Sequence, residues 1–157
     1  SACLVGSEMC IRDRDKTVFS NSEVDCVSLP TSKGIVSIYP NHATLISLIQ
    51  TGEIEIEFEN EKVFLAVSGG LLKVLPDNQV EILVDTAERA EEIDLERAEM
   101  ARARAEKLLE QQKDNTHLDE LEIMQIQAKI ERNVARINLG KRTKTRTFST
   151  SDIPTED

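Results

Sequence analysis

Short stretches in which apolar and polar residues alternate fill the first half of the chain. In GEIEIEFE, residues 52–59, the side chains of Ile54, Ile56 and Phe58 fall on one side and the glutamates fall on the other. This period of two predicts a β-strand with one buried face and one acidic face in water.

Comparable stretches follow one another over residues 16–84, and QVEILVD repeats the alternation with Val80, Ile82 and Val84 pointing inward. Gly, Pro, Asn and Asp residues separate them, which is typical of an antiparallel sandwich or barrel. No crossover helix fits between these strands, so the spacing argues against a parallel α/β sheet in this part.

The pattern changes at Thr86, where a charged, alanine-rich segment without Gly or Pro begins and continues to about Lys113. Asp85 or Thr86 is a suitable N-cap, and glutamates follow in the first turns. A second helix is predicted from about Leu118 to Leu139, ending before Gly140. The turn-forming KDNTH between the two segments predicts an antiparallel helical hairpin.

The two predicted helices carry unequal apolar stripes. Small residues on the first face large residues on the second, as in the sets Ala98, Ala101, Ala105 and Leu108 against Ile123, Ile126, Ile130, Val134 and Ile137. Alanine in place of a larger apolar residue forgoes about 2 kcal/mol per site. We therefore expect a marginal hairpin that can open or dock elsewhere.

These patterns divide the chain into four parts. Residues 1–14 are expected to be a non-native segment, and residues 15–85 an all-β sandwich of two antiparallel sheets. Residues 86–140 follow as the antiparallel helical hairpin, and residues 141–157 as a polar tail that we expect to be disordered.

Composition narrows the class of function. The chain has 157 residues, a formal net charge of −10 and only 3% aromatic residues, so it predicts an aliphatic core and no nucleic-acid partner. No apolar run approaches the roughly 20 residues of a membrane span. Cys3, Cys10 and Cys26 show no metal-binding spacing, which predicts no metal site and favours a reducing compartment.

Three motifs occur in a specific order: PNHA at residues 40–43, AVSGG at 66–70 and DTAERAEEID at 85–94. With them the chain resembles, over residues 16–139, the epsilon subunit of the rotary F-type ATP synthase (delta in mitochondrial naming). The resemblance implies a β-sandwich that binds the gamma subunit and sits on the c-subunit ring. It also implies a helical pair that either folds against the sandwich or extends toward the catalytic beta subunit and restrains ATP hydrolysis.

By the same resemblance, the chain is expected to be an accessory subunit rather than an enzyme. It would be peripheral to the membrane through its complex, on the cytoplasmic face of the inner (plasma) membrane in bacteria. The alternative is a stand-alone ATP-binding sensor module, which co-purification with gamma would distinguish.

The first 14 residues depart from the family, whose members usually begin with an alternating strand before KTVFS. The string CLVGSEMCIRDR resembles a translated sequencing-adapter sequence. We expect this segment either to leave an unpaired sheet edge or to imitate the first strand poorly through Leu4, Val5 and Ile11.

IDLERA, residues 93–98, resembles the I(L)DxxRA signature of family members that bind ATP. Adenine needs an apolar platform, here Ile93 and Ala98, and an acceptor for its amino group, here Glu88 or Asp94. The phosphates need guanidinium groups at helical spacing. The candidates for a regulatory ATP site, with no cofactor required, are Glu88, Ile93, Asp94, Arg97, Ala98, Arg104, Arg132 and Arg136. The ordinary alternative is a solvated helix face with Glu–Arg pairs of about 0.3 kcal/mol each.

A second candidate site is the set of cations at the end of the chain. The resemblance implies that they contact an acidic segment of the beta subunit, whereas the ordinary explanation is that cations complement the helix dipole. The set comprises Arg132, Arg136, Lys141, Arg142, Lys144 and Arg146.

No catalytic constellation accompanies His42, which is expected to be a structural loop histidine. Tyr39, Leu45 and Ile46 are candidates for contact with gamma or the c ring, with the core as the alternative for each.

Overall fold

The computed structural model describes residues 7–14, 16–113 and 120–149, with side chains to residue 111 in the first helix and to residue 142 in the second. It has two compact units, Ser1–Arg89 and Ala90–Asp157. The described strands of the first unit are β1 (Ser7–Asp13), β2 (Lys16–Val24), β3 (Cys26–Thr31), β4 (Gly34–Ile38), β5 (Leu45–Ile49), β6 (Gly52–Phe58), β7 (Glu61–Val67), β8 (Gly70–Leu75), β9 (Gln79–Val84) and β10 (Ala87–Arg89). The second unit contains a short 3-10 helix (Ala90–Glu92), α1 (Leu95–Lys113) and α2 (Glu120–Ser149).

The strands form a sandwich, as predicted. One hydrogen-bonded path runs β10-β7-β6-β3-β5-β8-β9-β1-β2, and β4 pairs with β3. Because Thr31–Ile49 is the single residue pair that joins β3 to β5, the path bends there into two layers. The rings of Phe19 on β2 and Phe58 on β6 meet from the two layers with their centroids 5.7 Å apart.

One strand pair departs from the predicted antiparallel arrangement. β1 runs parallel to β9, from Glu8 beside Gln79 to Asp13 beside Val84. In the sequence, no crossover helix fits between consecutive strands. This spacing therefore excludes parallel pairing only for strands that are consecutive in the sequence. β1 and β9 are separated by seven other strands, so no crossover helix is needed between them.

The sandwich core is aliphatic and closely packed. The alternation predicted for β6 and β9 is confirmed, because Ile54, Ile56, Val80, Ile82 and Val84 are all buried. The largest fully buried side chains of this unit are Met9, Ile11, Leu29, Ile54, Ile56, Leu65, Leu72, Ile82, Val24, Val27 and Val67.

The segment expected to imitate the first strand poorly forms β1 with a partner on both sides. Met9 and Ile11 are fully buried, so the neighbouring edge is paired rather than open. The pairing with β9 is regular, whereas the pairing with β2 shifts register twice, between Ser7 and Met9 and between Ile11 and Arg12. Ile11, one of the three residues expected to imitate the strand, is therefore part of it; Leu4 and Val5 lie outside the described residues.

The predicted start of the first helix, at Thr86, is wrong. The backbone of Ala87–Arg89 pairs with Leu65–Val67 of β7 as strand β10, and α1 begins only at Leu95. Residues rich in Ala and Glu favour a helix by intrinsic propensity, but the edge of β7 offered this segment backbone hydrogen-bond partners along one side.

The predicted end of the second helix is also wrong, because α2 continues through Gly140 to Ser149. The backbone of the first nine residues of the predicted tail is therefore helical. Of the predicted turn KDNTH, Lys113 is the last residue of α1, and residues 114–117 lie outside the described part of the chain, as do residues 150–157.

Within the second unit α1 and α2 pack side by side. Ala98, Ala105 and Ile137 are buried, as the predicted stripes require. Leu108 was also assigned to the stripe but is 50% exposed, because it lies about 80° around the helix from Ala98. The buried seam thus combines small residues of α1 with larger aliphatic residues of α2.

Candidate functional site

The IDLERA motif begins with a helix cap. Asp94 Oδ1 accepts a hydrogen bond of 3.1 Å from the backbone N–H of Arg97, and its carbonyl accepts one of 3.0 Å from Ala98. Asp94 is therefore the N-cap of α1, a role that the sequence had suggested for Asp85 or Thr86. One carboxylate oxygen of this adenine-acceptor candidate is already engaged.

The apolar part of the motif packs within the helix pair. A Cβ added at Gly140 would lie 2.6 Å from Leu95 Cδ2 and 3.4 Å from Ile93 Cγ2. Ala98 is 0% exposed, so its methyl group presents no surface to a ligand in this arrangement, and Ile93 is half-buried. Gly140 thus serves as the notch that admits these side chains, not as the predicted helix terminus.

Helical geometry places the four candidate arginines on one flank of the helix pair, opposite the ion pair between Lys141 and Glu99. On the other flank, Lys141 Nζ of α2 is 3.0 Å from Glu99 Oε1 of α1. Arg97 is two residues from Glu99, about 200° around α1, and Arg104 follows Arg97 by two turns. Arg136 is five residues from Lys141, about 140° around α2.

The antiparallel register brings cations from both helices to similar levels. Leu95 meets Gly140, and this register carried along both helices places Arg104 near the level of Arg132. Arg132 and Arg136 are half-buried, and Arg132 Nε is buried with no hydrogen-bond partner among the described residues. Half-buried guanidinium groups at this spacing suit an anion.

A buried polar residue that the sequence analysis missed lies beside these arginines. Asn133 is 8% exposed; its Nδ2 donates to the Lys129 carbonyl at 2.9 Å, and its Oδ1 lies 3.4 Å from Arg136 Nη1. The available signal was an asparagine between Ile130 and Ile137 on the apolar stripe, three residues before an arginine.

Glu88, the other adenine-acceptor candidate, belongs to β10 of the first unit. It is half-buried opposite Ala66 of β7. The remaining seven candidates lie in the second unit.

The outer face of β5, β8 and β9 carries an apolar row. Leu48 lies opposite Leu71, which lies opposite Leu83. Ile46, two residues from Leu48, is 70% exposed, and Leu48 itself is 64% exposed. Ile46, Leu48, Leu71 and Leu83, here called the outer apolar row, form an apolar surface on a sheet whose opposite face is the core.

Of the other two residues predicted to contact gamma or the c ring, Tyr39 is at the surface and Leu45 packs against the core. Tyr39 is exposed, and a hydrogen bond with Cys26 raises the pKa of its phenol. Leu45 is half-buried and packs against the core, which is the alternative that its sequence pattern left open.

The PNHA loop is held against the turn between β8 and β9. Asn41 N–H donates to Asn78 Oδ1 at 2.6 Å, and Glu8 N–H donates to the Asn78 carbonyl at 2.9 Å. His42 is exposed, and its Nδ1 lies 2.8 Å from the Ala43 carbonyl oxygen. His42 therefore lies in a loop, and its structural role stays a prediction.

Within the described residues, no helix is long and apolar enough to cross a membrane. The same part of the chain holds no group of three or more His, Cys, Asp or Glu side chains placed to bind a metal ion.

Comparison with known proteins matches both units. Residues 8–90 match the family model described as ATP synthase, delta/epsilon chain, beta-sandwich domain, and residues 91–140 match its long alpha-helix domain. The chain belongs to the ATP synthase delta/epsilon family. Its members are accessory subunits, so the chain is a non-catalytic component of the ATP synthase complex, which argues against the stand-alone sensor.

Relatives support this assignment. The ATP synthase epsilon chain of Herpetosiphon aurantiacus is 40% identical over 124 residues, which cover 79% of this chain and 90% of the relative. That of Chloroflexus aggregans is 49% identical over 88 residues, covering 56% and 63%.

A solved structure shares the fold at low identity. A chain of the Euglena gracilis mitochondrial ATP synthase OSCP/F1/c-ring structure aligns with a TM-score of 0.68 at 22% identity, over 81% of this chain and 76% of that one. It supports the order of a sandwich followed by helices.

Proposed function

We propose that the chain is a central-stalk subunit that couples the catalytic head to the c ring by binding gamma through its sandwich. The outer apolar row carries this proposal. Large aliphatic side chains that remain exposed beside one another indicate a surface that a partner covers. Membership of the ATP synthase family makes gamma the partner that this surface is expected to bind.

Binding to gamma tests this surface directly. Burying one leucine or isoleucine contributes about 1.5–3 kcal/mol, so Ile46→Ser and Leu48→Ser should each weaken binding by about tenfold or more. Leu48→Met keeps the apolar area and should bind like the original chain. Titration of immobilised gamma measures the affinities. If the original chain and the three variants bind with equal affinity, gamma does not bind through this surface.

We further propose that the helix pair binds ATP as a regulatory ligand. The supporting observation is the set of arginines on one flank, with Arg132 Nε buried and without a hydrogen-bond partner in the described part of the chain. A polyphosphate would neutralise their mutual repulsion and complete that bond. Because α1 and α2 both contribute arginines, ATP would hold the pair closed in proportion to its occupancy.

Thermal unfolding of the full chain, followed by a signal from the helices, tests this proposal. ATP should raise the Tm of the original chain, whereas Arg132→Gln should reduce the shift. Arg102→Gln is the matched control, because Arg102 already pairs with Glu106 on α1 at 2.7 Å. Absence of any shift at millimolar ATP in the original chain would leave the ordinary explanation, a solvated face of charged pairs.

The basic end of α2 is proposed to restrain ATP hydrolysis by contacting an acidic segment of the beta subunit. The Lys141–Glu99 ion pair supports this, since separation of the helices would release a cation for another carboxylate. Removing residues 141–157 should raise hydrolysis by the assembled enzyme at low ATP, and Lys141→Gln should reproduce part of that rise. Unchanged hydrolysis by the truncated enzyme would contradict this role.

In a bacterial host, this assembly would hold the subunit at the cytoplasmic face of the inner membrane through its complex. Protease added to inside-out vesicles, which expose the cytoplasmic face, should cut the subunit. Protease added to right-side-out vesicles should leave it intact.

A further inference from the structure

We infer that Asn133 is a positioning residue that holds the Arg136 guanidinium for the phosphates of ATP, an inference that rests on the ATP-binding function proposed above. Asn133 lies on the apolar stripe of α2 between Ile130 and Ile137, where an apolar residue would pack well. A buried amide needs hydrogen-bond partners to offset its lost hydration. Its two partners define its role.

The amide is oriented by the backbone of its own helix. Asn133 Nδ2 donates to the Lys129 carbonyl, one turn earlier, at 2.9 Å. This bond turns Oδ1 toward the following turn, where Arg136 Nη1 lies 3.4 Å away. Burial to 8% exposure restricts the amide to this orientation, so the acceptor for Arg136 stays in a fixed place.

Positioning matters because an arginine side chain has several rotatable bonds. An acceptor that restrains one Nη atom reduces the freedom that the guanidinium loses when it meets a phosphate, and preorganisation of this kind strengthens binding. Asn133 keeps its own side chain away from the ligand and acts through Arg136.

The hydrogen bonds of Asn133 also separate its positioning role from a merely structural one. Both bonds lie within α2, and no hydrogen bond from Asn133 reaches a described residue of α1. An apolar residue of similar size should therefore tighten the helix pair, because it loses no bond between the helices and gains apolar burial. The same substitution removes the acceptor of Arg136 and should weaken phosphate binding.

Asn133→Leu in the full chain is the experiment that follows. We expect slower hydrogen exchange of the α1 and α2 amides, together with an affinity for ATP that is about fivefold weaker. Inorganic tripolyphosphate should lose the same factor, since the contact is with phosphate. Asn138→Leu, an exposed asparagine on the same helix, should change neither measurement.

Two further variants keep the inference falsifiable if the leucine packs poorly. Asn133→Ala should weaken the affinity for tripolyphosphate by a similar factor. In an Arg136→Gln background, Asn133→Leu should have no further effect on affinity, because the group that it positions is gone.

The outcomes distinguish this inference from the proposal beneath it. If the original chain binds neither ATP nor tripolyphosphate, ATP sensing fails and the role of Asn133 fails with it. If the original chain binds ATP and Asn133→Leu binds it equally well, or weakens binding equally in the Arg136→Gln background, only the positioning role is overturned.

Discussion

The two units of this protein contain very different interiors. Leu65, Leu72 and Ile82 are among the large aliphatic side chains that the sandwich encloses completely. The helix pair buries the small residues Ala98 and Ala105 along α1, and on α2 it buries Ile137, Leu139 and an asparagine. Since each larger aliphatic residue buried contributes about 1.5–3 kcal/mol, we expect the sandwich to be the more stable unit and the helix pair the marginal one.

The proposed function calls for a difference of this kind. A unit that anchors a complex benefits from an interior that resists local opening, whereas a regulatory element must open at small cost. Hydrogen exchange should therefore be much faster in α1 and α2 than in β7 and β8. Equal protection in both units would contradict the comparison.

The largest effect is expected in the sandwich core. Leu65→Ala removes a fully buried side chain and should lower the free energy of unfolding of the sandwich by about 2–5 kcal/mol, measured by urea denaturation. The matched control is Leu48→Ala on the outer face, which should change it by about 0.5 kcal/mol or less. If both variants lose the same free energy of unfolding, the contrast between a buried Leu65 and an exposed Leu48 is contradicted.

A smaller effect is expected at the notch between the helices. Gly140→Val places carbon atoms where Leu95 now lies, and it should destabilise the helix pair by about 1–3 kcal/mol. Hydrogen exchange should accelerate in α1 and α2 but not in the strands.

Leu95→Ala makes room at the same notch and should recover part of the loss in a Gly140→Val background. If the double variant is no more stable than Gly140→Val, the contact with Leu95 is not the cause.

Loss of the helix cap should have a milder effect. Asp94→Ala leaves the N–H of Arg97 without its acceptor and should cost about 1 kcal/mol of helix stability, measured by exchange in the first turn of α1. Asp94→Asn retains a capping oxygen and should remain stable. If Asp94→Asn binds ATP less tightly although the cap is retained, the negative charge of Asp94 contributes to ATP binding separately from capping.

The smallest effect concerns an ion cluster on the surface of the sandwich. Hydrogen bonds and ion pairs with Glu55 and Glu57 raise the pKa of Lys62 above its ordinary value. Their stabilising contribution is fully present below that ordinary value and disappears as the pH rises through the raised value. NMR titration of Lys62 Cε should show the raised midpoint, and Glu55→Gln with Glu57→Gln should return it toward normal.

Sequence pattern predicted the sandwich well because its strands obey a simple rule. Ile54, Ile56 and Ile82 alternate with charged or polar neighbours, and one face of each strand had to be buried. It also predicted the small residues at Ala98 and Ala105, since helical spacing places them on one stripe.

The candidate site was less predictable because the positions of its residues depend on contacts with segments that are distant in sequence. Arg97 and Arg132 come to the same flank through the helix register in which Leu95 packs on Gly140. Asp94 could not be recognised as the cap while residues 87–89 were assigned to the helix, and their pairing with β7 depends on an edge formed elsewhere.

The amino-acid sequence by itself determined which residues face inward in each strand, where small residues replace large ones, and to which family the motifs belong. These properties are local, because they depend on side chains a few positions apart. Tertiary structure decided the parallel β1–β9 pair, the strand at Ala87–Arg89 and the grouping of the arginines. Each of these depends on hydrogen bonds or packing that exist only when distant segments have come together.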